Sequence, residues 1–379
     1  MSAADLVRAR HATRIQFAAL GVLAGAWGVH IASLKAQYGL GEAMLSLVLL
    51  AAASGALLSL FFAGRVIGRL GVRRAVLLAA LIMAGMLALA LHWPGLAWLL
   101  PAMVVFGASM SLYDVAINAE GTALESLSGR TVMSNLHGMF SVGGMTGAAL
   151  TGALLRAGVP PGLQLAGMAV AIVLLVWLAS RHMLDVHPKE EGEQPAAHFA
   201  WPRGQLLLIG LLIFAGMTAE GVMYDWCVLY LNQELHMPQA QAALGYAAFS
   251  AAMALSRFGG DALRSRYPEQ LLLRGGGALA AVAMAVLLLA GTPWVALIGY
   301  ALVGAGLAPV VPMLFNAATR VPGVSRAAAI ASVSSIGYAG FMIGPPLIGS
   351  IAQAVSLTVA MSVVVLAAGL LAIGARRVG

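Results

Sequence analysis

The sequence predicts an all-α membrane protein, with twelve transmembrane helices in two pseudo-symmetric six-helix halves. Three observations lead there. The chain of 379 residues is 61% hydrophobic and only 9% charged, against about 25% charged in soluble domains. Its apolar residues gather in runs long enough to cross a bilayer, which takes about 20 residues per helix. The one long polar stretch, "HMLDVHPKEEGEQPAAHFAWPR" at 182–203, falls in the middle of the chain.

The first six spans fall at 14–36, 43–63, 73–92, 96–119, 131–155 and 159–181. The second six fall at 204–231, 240–261, 270–290, 294–317, 327–352 and 355–375. Arg8, Arg10 and Arg14 run into the first span, and no small-residue cleavage site ends a short apolar core there, so it is expected to stay uncleaved. The second ends in "GRVIG" (64–68) and turns through a basic segment into the third. The fourth changes character midway, from the apolar "LAWLLPAMVVFGASM" (96–110) to "SLYDVAINAEGTALE" (111–125). The fifth carries "SNLHGMFSVGG" (134–144), and the sixth is apolar. The seventh holds "AEGVMYDWCVLYL" (219–231), the eighth ends in "SRFGGD" (256–261), and the ninth is uniformly apolar past its start. The tenth contains Pro309 and Pro312, which remove two helical donors and predict a bendable helix. The eleventh contains "GFMIGPPLIG" (340–349), and the twelfth is uninterrupted. Residues 1–181 and 204–379 are thus expected as the two halves, joined by a flexible cytoplasmic linker at 182–203.

The net charge of +7 does not point to nucleic acid, because Lys and Arg cluster in short segments between apolar runs. With the N-terminus placed in the cytoplasm, nineteen of the 21 fall on that side, and only Lys35 and Arg156 on the other. That is the positive-inside pattern, and it puts both termini in the cytoplasm of a bacterial inner membrane. The single cysteine, Cys227, excludes an intramolecular disulfide and a cysteine metal cluster. The sequence holds no nucleotide-binding glycine loop, metal-ligand spacing or serine nucleophile elbow, so neither an enzyme nor a cofactor or metal is expected.

The halves repeat. A shift of 197 residues carries Gly107 onto Gly304, Gly143 onto Gly340, Gly147 onto Gly344 and Gly152 onto Gly349. With twelve spans, the central linker and a basic turn after span 2, the sequence resembles the major facilitator superfamily over almost its whole length. Gly64, Arg69, Gly71, Arg73 and Arg74 fit the family's loop pattern, with Gly68 standing where the family has aspartate. The matching turn after span 8 carries Gly260 and Asp261. "YDVAINAE", "SNLHGMFSVGG" and "AEGVMYDWCVLYL" look like the fucose-permease-like branch and its bacterial inner-membrane relatives. The arginine motif of drug:proton antiporters is absent from span 4, and the Gly-Pro element stands in span 11 rather than span 5. The resemblance implies the major facilitator fold, a central cavity, and a cytoplasmic latch formed by Arg65, Arg69, Arg73, Arg74, Arg257 and Asp261.

Ionisable residues within spans are costly and so are functional candidates. Asp114, Asn118 and Glu125 share one face of span 4 at i, i+4 and i+11. By a rise of 1.5 Å per residue, Asp114 and His137 lie at similar depth, each about 9 Å from its span centre, so a proton relay between them is expected. Glu220 lies within about one turn of the midplane with Tyr224 stacked at i+4. No basic residue neighbours Glu220 in sequence, which predicts a protonated, hydrated or substrate-engaged carboxyl. Trp27, Asn316 and Tyr338 are further candidates for the cavity lining, and a His30–Asp225 contact is expected to close a periplasmic gate.

With no ATP-hydrolysing element, the expected function is secondary active transport by alternating access, coupled to protons, in a monomer embedded in the lipid bilayer. Acidic residues within spans 4 and 7, and no Lys or Arg near a span centre, favour a neutral polar or cationic small molecule, sugar-like above others. A drug or metabolite exporter of the same fold is the alternative, and a greasy aromatic cavity would mark it. A non-transporting membrane sensor is the alternative of another class, and the short termini without a signalling domain count against it.

Overall fold

The computed structural model describes residues 3–184 and 202–378. Most of the expected linker, with Lys189, lies outside the described residues, as does the side chain of Asp261. Thirteen α-helices make twelve spans. They are α1 (Ala3–Tyr38), α2 (Glu42–Leu70), α3 (Val72–Leu89), α4 (Leu96–Ser128), α5 (Met133–Arg156), α6 (Pro161–Ser180), α7 (Gly204–Gln233), α8 (Gln239–Arg264), α9 (Glu269–Ala290), α10 (Pro293–Leu307), α11 (Val310–Ala318), α12 (Arg326–Ala354) and α13 (Leu357–Gly374). The tenth span is broken into α10 and α11 at Ala308–Pro309. Pro309 and Pro312 withhold the donors that the carbonyls of Ala305 and Ala308 would have received. Eleven helical segments among the described residues, with α10 and α11 counted as one, are long and apolar enough to cross a membrane, and α8, the eighth span, completes the twelve.

The bilayer logic is visible in burial. α1 and α7 are buried along most of their apolar length. The peripheral helices instead turn Phe61, Leu174, Leu289 and Leu366 outward, as a lipid solvent permits. Close packing rests on glycine. A Cβ at Gly143 or Gly147 of α5 would fall 2.1 or 2.2 Å from a carbonyl oxygen of α1. Small residues at such contacts let helices approach in a medium that supplies no hydrophobic drive between them.

The 197-residue offset reappears in these contacts. A Cβ at Gly107 would meet the carbonyl oxygen of Ala52 at 1.8 Å, and one at Gly304 would meet that of Phe249 at 2.3 Å. The same offset relates Ala52 to Phe249. Gly152 packs against Ala240 and Ala243 of α8, while Gly349 packs against Glu42 and Ser46 of α2. Again the offset carries Ser46 onto Ala243, so the two sets of six spans grip each other by equivalent pairs, α5 on α8 and α2 on α12.

One end of the bundle carries the N-terminus and most of the arginines and is called the basic end below. At the opposite end the two sets are drawn together. Gln239 Nε2 donates to the carbonyl of Val29 and to Ser33 Oγ, both at 2.8 Å. At the basic end the junction runs through α5 and α8. Ser134 Oγ donates to the carbonyl of Arg257 at 3.0 Å, and a Cβ at Gly138 would strike the Phe258 ring at 2.5 Å. Gly64 and Gly68 of α2, and Gly259 and Gly260 of α8, face open space there. Among the described residues, Arg65, Arg69, Arg73 and Arg74 make no hydrogen bond or ion pair.

Candidate functional site

The centre of the molecule is organised around Glu220. Its position near the middle of α7 follows from the helix bounds. Arg257 Nη2 of α8 donates to Glu220 Oε1 at 3.1 Å, and the two side chains are each 12% exposed. Tyr224, one turn on, donates its hydroxyl to the same oxygen at 3.0 Å. Arg257 also reaches across to the first six spans. Its Nη1 donates to Ser141 Oγ at 2.8 Å and to the carbonyl of His137 at 3.4 Å, both on α5. A single guanidinium therefore joins α5, α7 and α8, using the fixed fork of donors that distinguishes Arg from Lys.

This corrects the sequence reading of Glu220. The carboxylate lacks a basic neighbour along the chain but has one in space, 37 residues on. Arg257 lies toward the basic end of α8, and its long side chain extends inward to the middle of the bundle. An arginine expected to serve only at the surface thus supplies the central positive charge. Ser141 was not singled out from sequence. Its hydroxyl returns to the carbonyl of His137 one turn back at 3.3 Å, as helical serines commonly do, and nothing in the sequence marks it as the one that also accepts from an arginine.

Tyr224 is held by aromatic rings from both sets of spans. Its ring centroid lies 6.3 Å from Phe140 of α5, 5.5 Å from Tyr246 and 5.4 Å from Phe249 of α8. The contacts with Phe140 and Phe249 are edge-to-face and that with Tyr246 is tilted, and together they fix orientation as well as burying area. Phe249 and Tyr246 are themselves buried, so they pack Tyr224 rather than line an open chamber.

Asp114 and Asn118 share a face of α4 as their spacing requires. Asn118 Nδ2 donates to the carbonyl of Asp114 at 2.9 Å and to its Oδ1 at 3.1 Å. Asp114 has no basic partner among the described residues. Tyr338 of α12, 38% exposed, lies within electrostatic reach of Asp114 from the other set of spans. No hydrogen bond joins Asp114 to His137. The His137 ring instead lies edge-on to Phe17 of α1, with centroids 5.3 Å apart, and near Arg257. Glu125, expected on the same stripe, accepts the N–H groups of Val132 and Met133 at 2.5 and 3.0 Å and so caps α5. Glu120, fully buried, accepts from the N–H of Leu184 at 2.7 Å.

Four other candidates are placed elsewhere. His30 is 1% exposed and shares a hydrogen bond with Ser33 Oγ at 3.1 Å, one turn along its own helix. It therefore does not meet Asp225, which makes no hydrogen bond or ion pair among the described residues and borders a cleft between α7 and α12. The expected His30–Asp225 gate is absent from this conformation, because each side chain turns into its own half. Trp27 is buried against Phe106 of α4, with centroids 5.2 Å apart, as a packing residue. Asn316 donates to Glu269 Oε1 at 3.2 Å within a basic-end cluster, where Glu269 also receives Arg264 at 2.7 Å and Arg320 at 2.8 Å. It stands outside the cavity lining because α11 follows the proline break and carries it to the end of the span. Among the described residues no group of His, Cys, Asp and Glu is arranged to hold a metal ion.

With this geometry in hand, comparison with known proteins is informative. Residues 15–325 match the family described as the Major Facilitator Superfamily. The chain is 36% identical over 367 residues to an uncharacterized MFS-type transporter of Yersinia pestis, covering 97% of this chain and 94% of that one. It is 32% identical to the membrane protein MosC of Rhizobium meliloti, covering 91% and 84% of the two chains. In fold it superposes on the outward-conformation crystal structure of FucP, a Major Facilitator Superfamily transporter, with a TM-score of 0.71. That match has 17% identity and 99% coverage of both chains.

Proposed function

Since the chain belongs to the major facilitator superfamily, and is accordingly a multi-pass membrane transporter and not an enzyme, we propose that it is a proton-coupled secondary transporter. It works by alternating access, with residues 1–181 and 204–379 rocking about the cavity and 182–203 linking them. The solute is small, neutral and polar or cationic, with a sugar-like molecule favoured. The protein acts as a monomer in a bacterial inner membrane with both termini in the cytoplasm, and the positive-inside charge count supports that orientation.

The observation that carries this reading is the Arg257 bridge. Arg257 ties α8 to α5 through Ser141 while paired with Glu220. A proton taken up by Glu220 removes the counter-charge of Arg257 and weakens the bridge. A group whose protonation favours one arrangement of the halves over another is what coupling requires, because a ligand shifts an equilibrium only by its differential affinity for the two states. Asp114 and Tyr338, within electrostatic reach of each other from opposite halves, would provide a carboxylate acceptor and a phenol for the solute. The charge of Arg257 is already balanced by Glu220. Among the described residues no unpaired arginine then stands beside Glu220 at the centre of the bundle to clamp an anion, which supports a neutral or cationic solute. The close contacts at the opposite end and the open glycine faces at the basic end support an inward-open state.

The test begins with a panel of sugars, polyols and small cations screened for an increase in the melting temperature of the purified protein. The best ligand is then followed into proteoliposomes under an imposed pH gradient. Uptake in the wild type, with loss of gradient-driven uptake and survival of solute exchange in Glu220→Gln, is expected. Gradient-driven uptake at the wild-type rate in both Glu220→Gln and Asp114→Asn would refute the coupling assignment.

A further inference from the structure

A second polar site lies away from the Glu220–Arg257 bridge. Thr218 and Asp225 stand seven residues apart on α7 and so share a face. They border a cleft against Gly340, Phe341, Gly344 and Pro345 of α12, with Trp226 at its side. The cleft has room for about one water molecule.

Its polar atoms are unusually short of partners. Asp225 makes no hydrogen bond or ion pair among the described residues. Thr218 is 3% exposed and Trp226 1% exposed, and neither Thr218 Oγ1 nor Trp226 Nε1 has a hydrogen-bond partner. Pro345 has no N–H, so the carbonyl of Phe341, one turn earlier on α12, has no helical donor. Thr218 Oγ1 is turned toward α12, where a Cβ added at Gly340 would lie 2.8 Å from it. A half-buried carboxylate and a buried hydroxyl border one small cleft, beside the turn of α12 in which Pro345 leaves the Phe341 carbonyl without its helical donor, so the site offers oxygen atoms and net negative charge. Buried groups of this kind are normally satisfied, so their shared vacancy of partners points to a guest.

We propose that this cleft binds one monovalent cation, either a proton carried by Asp225 with a water or a sodium ion held by Asp225, Thr218 and the Phe341 carbonyl. Transporter ion sites are commonly built where a discontinuity in a helix frees backbone carbonyls, and the Pro345–Pro346 pair supplies one in α12. Within electrostatic reach of Asp225 are Cys227, two residues on along α7 and so on a different face, and Tyr246 from α8, and the α12 residues bordering the cleft bring no titratable group. Among the described residues no Lys or Arg pairs with the carboxylate. The inference rests on the transporter reading for the role of the bound ion in a transport cycle, whereas binding itself is independent of it.

Purified full-length protein is melted at constant ionic strength with NaCl exchanged for choline chloride, and proton uptake is measured separately with an indicator in weak buffer. A saturable rise in melting temperature with NaCl, absent in Asp225→Asn and shifted on the order of tenfold in concentration in Thr218→Val, assigns sodium. Uptake of one proton on acidification, lost in Asp225→Asn without any sodium response, assigns the proton. Glu220→Gln must retain whichever response is found, which separates this site from the coupling carboxylate proposed above. Gly340→Ala places a carbon 2.8 Å from Thr218 Oγ1 and 2.8 Å from the carbonyl of Phe214, so it is expected to abolish the response and to lower the melting temperature measured without the cation. Identical sodium and proton responses in the wild type, Asp225→Asn and Gly340→Ala overturn the proposal.

Discussion

Replacing Arg257 with glutamine removes the charge that sits between α5, α7 and α8. Glu220 and Arg257 are each 12% exposed, so solvent screens their interaction little. Removing one partner of such a buried pair costs about 3–5 kcal/mol, chiefly because the other charge is stranded. The lost bond from a charged donor to Ser141 falls within that figure and does not add to it, since the contacts form one network. Glu220→Gln should cost less, about 1–3 kcal/mol, because Arg257 keeps Ser141 and the His137 carbonyl as acceptors. The double variant should be more stable than the sum of the singles implies, by at least about 1 kcal/mol of interaction energy. Equilibrium denaturation in a fixed detergent gives all four corners of this cycle. Strict additivity, or an Arg257→Gln cost no greater than that of the more exposed Arg264→Gln, would refute the view that the pair is a desolvated structural junction.

Three further outcomes follow from the same geometry. Gly107→Ala and Gly304→Ala should each destabilise by about 1–3 kcal/mol or more through forced separation of helices, since the added carbon would fall 1.8 and 2.3 Å from carbonyl oxygens. Gly64→Ala, with nothing within 4 Å, should be near neutral in the same melts. Single cysteines at Asp114 and Asn118 should react with a soluble thiol reagent and be protected by a bound solute, whereas one at the fully buried Ile117 should not react. Labelling equal at all three would show that the stripe is interhelical packing; Cys227→Ser removes the background thiol, itself fully buried. Asn316→Ala should lower stability modestly, by about 0.5–1.5 kcal/mol for one lost hydrogen bond, and leave solute affinity unchanged. A large loss of affinity would return Asn316 to the cavity.

Much of the architecture was legible because hydrocarbon imposes a simple rule on composition. Span number, the proline break of the tenth span and the glycine repeat all follow from residue types read along the chain. The repeat carries through into packing that the sequence did not name: Gly107 and Gly304 meet residues that the same offset relates. The site was legible only in part. Glu220 and Tyr224 are one turn apart, and helix geometry sufficed to pair them. Arg257 was visible as a residue but not as a partner, because an arginine near a helix end can extend to water or inward, and only packing against α5 decides. His30 and Asp225 were paired by depth along facing spans, which leaves rotation about the helix axis undetermined. Asn316 was misplaced because a proline break alters where the following turn points.

The central claim is that the charge on Glu220 biases which side of the transporter is open. It can be measured without knowing the solute. Spin labels at Thr122 of α4 and Ala331 of α12, both exposed near the basic end, report separation of the two halves there. Each 1.4 kcal/mol taken from the Arg257 bridge changes the ratio of open to closed populations about tenfold. Distance distributions of the wild type at neutral pH should be dominated by the long separation. In Glu220→Gln, and in the wild type on acidification, the short separation should gain weight, and acidification should produce no further change in Glu220→Gln. Distributions of the wild type and Glu220→Gln that coincide at every pH would contradict the account.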